Sequence, residues 1–156
     1  MDDSRLRRDL LELLEGRSAH IGPDAAFAGV RPEHRADRSG GEGHTLWQLL
    51  EHLRIAQEDI LRYTLDPGWT SPEFPEGYWP TVEAPTEEQW RASLEAFGRD
   101  LEEVRALVSD PERDLTTEIP HGEGRSYLRE LLLVANHNAY HLGQVVEIRR
   151  RLGSWM

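Results

Sequence analysis

Two histidines four residues apart, His137 and His141, interrupt the leucine- and valine-rich stretch LLLVANHNAYHLGQVVEIRR at residues 131–150. On a helix of about 3.6 residues per turn they stack on one face, one turn apart. The same face carries Val134, Val145 and Ile148, so it points toward a core. A buried imidazole has one donor and one acceptor to satisfy. A metal ion meets that need, because one ring nitrogen lends its lone pair to the cation while the other donates to a neighbour. HxxxH also occurs in helices whose core histidines are only hydrogen-bonded, so a third ligand on another inward stripe is needed to make a site. His52 is that candidate: it lies in LWQLLEHLRIAQEDIL, with Leu49, Ile55 and Ala56 at helical spacing around it. Three neutral histidines leave positions open for water or substrate, the arrangement of catalytic rather than structural sites.

Such a centre can favour the anion of a bound water or thiol and can polarise an electrophile. Attack by a low-molecular-weight thiol and hydrolysis are the two reactions expected. The chain has no cysteine, so a thiol nucleophile must come from a cosubstrate. Three imidazoles suit zinc, nickel, copper and iron alike. No general acid or base announces itself by motif. Glu130, two turns before His137, and Asp59, two turns after His52, are candidates to orient a ring. Gln144 is placed to hydrogen-bond near the metal, and Trp79 to wall a pocket. Asn136 and Asn138 are expected to point away from the histidine face, and Gly143 to admit a neighbouring helix. His20, His34, His44 and His121 fall in connections and read as exposed loop residues, with His44 or His121 near a pocket mouth.

The positioning elements are helical. Leu6, Leu10, Leu13 and Leu14 mark a first helix over about residues 2–17, with Gly16 near its end. PDAAFAGV (23–30) suits a short helix with Pro23 in its first turn, and residues 31–44 read as an exposed loop. Thr45 and Gln48 form a capping-box signature for a second helix that stops before Pro67. Thr86 and Gln89 open a third, which runs to about Val108; the fourth covers about 126–152. Between the second and third, residues 66–85 carry five prolines with Trp69, Phe74, Tyr78 and Trp79, and cannot be helical throughout. That loop is expected to pack on the bundle or to wall the pocket, packing being favoured. No strand or repeat is evident, so an all-α four-helix bundle with long connections is expected, one domain over 1–156.

The net charge of −11 argues against nucleic-acid binding and is read as a solubility device. No apolar run is long enough to span a bilayer, and MDDSRLRRDLLELLEG lacks the form of a signal peptide. A cytoplasmic protein with a small-molecule substrate, and with surplus aromatics that would suit a homodimer, is expected.

HTLWQLLEHLRIAQEDIL followed by NHNAYHLGQ resembles the DinB-like superfamily, also called YfiT-like metal-dependent hydrolases. The resemblance covers essentially the whole chain. It implies a four-helix bundle holding a divalent metal, zinc or nickel, on one histidine of the second helix and two of the fourth. The matching positions are His52, His137 and His141, and the run from His141 to Gln144 also looks like the family signature. Characterised branches include bacillithiol S-transferases and mycothiol-dependent isomerases or transferases, in which the metal activates the cofactor's thiol. The resemblance therefore implies a thiol-dependent S-transferase or a related hydrolase. The alternative is a bundle that binds a metal or small ligand without catalysis.

Overall fold

The computed structural model describes residues 3–39 and 41–155. Five helices follow one another: α1 (Ser4–Glu15), α2 (Pro23–Phe27), α3 (Leu46–Leu65), α4 (Glu87–Ser109) and α5 (Tyr127–Arg151). Among the described residues there is no strand, only an isolated antiparallel bridge between Glu118 and Ser126. The chain is thus all-helical, as the apolar periodicity predicts.

Local chemistry accounts for most helix ends. Thr45 accepts from the Gln48 amide while Gln48 reaches back to the Thr45 amide, and Thr86 and Gln89 repeat the device on α4. Ser126 caps α5. Gly16 ends α1 in the left-handed conformation, two residues before the end expected from periodicity; Asp2, the expected start, lies outside the described residues. The short helix at Pro23 stops at Phe27.

The four long helices form a ring in which α1 and α3 each pack against both α4 and α5, with the short α2 laid on α5. Leu49, Leu50 and Leu53 of α3, Phe97 and Val104 of α4, and Val145 of α5 are buried between them. The α3–α5 seam carries His52 on one side and His137 and His141 on the other.

Two arginines hold helices from a distance. The C-terminus of α4 has no glycine cap, and its terminal carbonyls need donors. Arg7 of α1 supplies them, donating to the carbonyls of Val108 (2.7 Å), Asp110 (2.9 Å) and Arg113 (2.6 Å). Arg149 of α5 is likewise buried and donates to the carbonyls of Ala26 and Ser154. The connection 31–44 departs from its expected exposure. His34 and Arg35 are buried, because the Arg31 guanidinium lies 3.0 Å from the His34 ring, Arg35 pairs with Glu87, and the Trp47 amide donates to the Arg35 carbonyl.

Candidate metal centre

His52, His137 and His141 converge with their Nε2 atoms toward one point. Nε2 of His52 lies 3.1 Å from that of His141 and 3.0 Å from that of His137. The candidate ligand atoms of the three residues all fall within 4.8 Å of one another, and among the described residues no carboxylate joins them.

The outer nitrogens decide what these contacts are. His52 Nδ1 is 2.9 Å from the Tyr78 carbonyl, which can only accept, so the proton sits on Nδ1 and Nε2 bears a lone pair. His141 Nδ1 donates to Gln144 Oε1 at 2.6 Å, which leaves its Nε2 a lone pair as well. Two lone pairs face each other at 3.1 Å with no proton between them. His137 Nδ1 is buried without a hydrogen-bond partner of good geometry; the neighbouring Asn138 amide interacts with it only loosely. This arrangement repels itself and is relieved by a cation. Metal–nitrogen bonds of about 2.0–2.1 Å place adjacent donors roughly 2.9–3.4 Å apart, from right-angled to tetrahedral ligation. The observed separations fall in that range, so the donor set fits a divalent metal.

Electrostatics prepares the same state. Burial pushes the His137 pKa down to about 4, and the charges His141 and His52 would carry push it the same way. Burial also lowers His52 and His141, opposed in part by the bonds to Tyr78 and Gln144. All three rings are therefore neutral near pH 7, the form that ligates.

Trp79 stacks on His52 with ring centres 4.1 Å apart and on His44 at 4.0 Å. Two rings this close to one indole and nearly parallel to it must occupy opposite faces, so the order is His44, Trp79, His52. Burial also lowers the pKa of the outer ring, His44. The Trp79 loop is pinned to α3 at further points. Asp59 accepts from Trp69 Nε1 (2.8 Å) and the Tyr78 hydroxyl (2.7 Å), and Trp47 Nε1 donates to the Val82 carbonyl. The 66–85 loop therefore both packs on the bundle and walls the histidine cluster.

Several expected positions need correction. Asp59 touches no ring of the cluster; it holds Tyr78, whose carbonyl orients His52. Glu130 is buried but pairs with Arg129, a residue on its own helix, and not with a histidine. Asn138 is not peripheral: it is buried and donates to Gln57, which in turn donates to the Phe97 carbonyl. The reason is helical register, since Val134, His141, Leu142 and Val145 at i−4, i+3, i+4 and i+7 all lie on the buried stripe. Asn136 is exposed. Gly143 admits no neighbouring helix, because a Cβ there would meet nothing within 4 Å. His121 is not one of the cluster; its Nε2 donates to the Tyr63 carbonyl at 2.7 Å. Tyr78 was hidden from sequence reasoning because its contribution is a backbone carbonyl, which every residue type has.

The sequence profile of the DinB superfamily matches residues 4–145. The chain belongs to the DinB superfamily. Among curated proteins and solved structures, none matches it. In this DinB-superfamily chain the family profile covers α1 through most of α5 and so spans all three histidines. No helix among its described residues is long and apolar enough to cross a membrane.

Proposed function

We propose that this DinB-superfamily protein is a divalent-metal-dependent enzyme that transfers a small electrophilic group to the sulfur of a low-molecular-weight thiol, with zinc or nickel held by His52, His137 and His141. The observation that carries the reading is the convergence of three Nε2 atoms, with the lone pairs of two turned inward by Nδ1 donation to the Tyr78 carbonyl and to Gln144. A divalent cation there supplies the positive charge that lowers the pKa of a thiol or a water. Because the three ligands are neutral and no carboxylate adjoins them, the ion's charge is left undiminished for the anion it favours. In the reaction the thiol gives its proton to solvent, its sulfur bonds to the electrophilic carbon, and the leaving group departs with the electron pair of the broken bond. The protein's own groups hold the rings in register and, through Trp79, cover one face of His52. Hydrolysis is the neighbouring reaction at the same centre; the resemblance to thiol-dependent branches of the family favours sulfur over water.

The test is metal content by elemental mass spectrometry on untagged protein, wild type and His141→Ala, followed by thiol-transfer assays on the loaded wild type. Near-stoichiometric metal lost in the variant, with turnover that chelation abolishes, supports the reading. Metal without turnover toward any thiol acceptor would replace it with a metal- or ligand-binding bundle. Absence of metal after incubation with zinc and nickel would sink both.

A further inference from the structure

A pocket of about 370 Å³ adjoins the histidine cluster on the α5 side. His44, Tyr140, Gly143 and Gln144 line it. Each is tied to the cluster or leaves room beside it. Gln144 accepts from His141, the Tyr140 ring packs edge-on against His141 with centres 4.9 Å apart, and His44 stacks on Trp79. Gly143 sits in the interior of a long helix, where glycine is the least favourable residue after proline, and no protein atom occupies the space its side chain would take. Neither a turn nor a helix contact explains it. The space it leaves is in the pocket.

The rim carries both signs. Glu42 and Glu147 line it with Arg151, which is paired with Glu147 at 3.1 Å, and the Arg38 guanidinium donates to the carbonyl of Gly43, another lining residue. Its two carboxylates and two guanidinium groups balance, which leaves size as the property the pocket can select by.

We infer that this pocket seats the non-reacting body of an extended small molecule, and that Gly143 sets the size of body it admits. The inference rests on the metal-and-thiol reading for where the reactive end lies, since Gln144 and Tyr140 connect the pocket to His141. It concerns a binding surface that does not itself ligate, so it can be tested apart from the metal.

Gly143→Leu fills the pocket from the helix while leaving every ligand and its hydrogen bonds in place. It replaces a poor helix former with a good one, so the variant is expected to melt no lower than wild type. The probe is a thioether that has no free sulfhydryl, S-methylpantetheine, extended and uncharged. It is titrated into 15N-labelled, as-purified protein while the amides of Tyr140 to Ile148 are followed. S-methylpantetheine is expected to shift these amides in wild type and to bind about tenfold more weakly, or not at all, to Gly143→Leu. No shift in wild type, or equal affinity in both proteins, overturns the pocket. A separate titration of 2-mercaptoethanol into cobalt-loaded protein, read by sulfur-to-metal absorption, tests the thiol reading. Loss of that band with the amide shifts intact would sink the thiol reading and leave the pocket standing; the reverse would sink the pocket alone.

Discussion

The α3–α5 seam contains two polar knots within two helical turns of each other, built by opposite rules. In one, Asn138 donates to Gln57 at 2.9 Å and Gln57 donates to the Phe97 carbonyl at 2.8 Å. Donors meet acceptors, both side chains are buried, and the chain ties α5 to α3 and α3 to α4. In the other, lone pairs of His52 and His141 meet across 3.1 Å with all the donor capacity turned outward. The first is held by matched donors and acceptors, with Asn138 Oδ1 alone left unpaired. The second is complete only with a cation in it. Burial of polar side chains in a helical core thus has two distinct signatures, and the direction of the protons separates them.

That contrast breaks most sharply on Gln57→Ala, the largest effect expected. It leaves the Asn138 amide unpaired in a dry core, takes from the Phe97 carbonyl the donor it has beyond its helical one, and opens a cavity, for a loss of about 3–5 kcal/mol of stability. Metal affinity should change little. His141→Ala should do the converse, weakening metal binding by more than about 100-fold while apo stability holds or rises, since a repulsive contact is removed. Denaturant melts of the chelated proteins and competition with a chromophoric chelator measure the two sides. If both variants lose both properties together, the knots are one unit and the distinction fails.

Gln144→Leu sharpens the same point with a smaller effect. It removes the acceptor that keeps the His141 proton on Nδ1, so metal affinity should fall about 10–100-fold with every ligand still present. Gln144→Glu should restore most of it, because a carboxylate accepts the same proton. Equal losses in both would mean that Gln144 acts by packing and not by orienting the ring.

Acid should also tell the knots apart. The folded pKa of His137 is about 4 against an ordinary 6.5, so unfolding takes up a proton between those values. Its contribution to apo stability is fully present above about pH 6.5 and is lost as pH falls toward about 4. Allowing for the ring's partial exposure, the loss is on the order of 1–2 kcal/mol. The difference in stability between wild type and His137→Gln, from pH 7.5 to 4.5, isolates this from the carboxylates, which titrate in both. The difference should narrow as pH falls. Gln57 and Asn138 have nothing to titrate, so the Gln57→Ala loss should be flat over the same range; a slope there would mean that the closed knot depends on the charge of its neighbour.

How far each knot can be read from sequence follows from the same physics. Helix starts are set by groups three residues apart, so the capping boxes at Thr45 and Thr86 are legible without any tertiary contact. The histidine pair is legible because i and i+4 on a helix are neighbours whatever surrounds them, and His52 because its apolar flanks place it inward. Arg7 is not legible: its carbonyl partners lie 101 to 106 residues away. Asn138 is not legible either, because α5 packs on α1, α2 and α3 together and its buried arc is wider than the histidine face. Tyr78 acts through its carbonyl, and nothing in its side chain signals that. Gly143 carries an ambiguity of its own kind, since a missing side chain can make room for a helix or for a guest.

Gly143→Ala resolves that ambiguity and carries the smallest expected effect. Were Gly143 a contact point between helices, a methyl group would clash and the protein would lose stability. In the structure a Cβ meets nothing within 4 Å. Only the intrinsic term remains: alanine restricts the unfolded chain and suits the helix, a gain of about 0.5–1 kcal/mol. A measured gain of that size places the glycine on the open side of the seam, where its small size serves something other than folding. It would also show that the chain forgoes stability beside the histidines that the Gln57 knot, fully packed, secures one turn away. A loss instead would return Gly143 to the packed core, with a neighbouring helix closer to α5 than the 4 Å clearance allows.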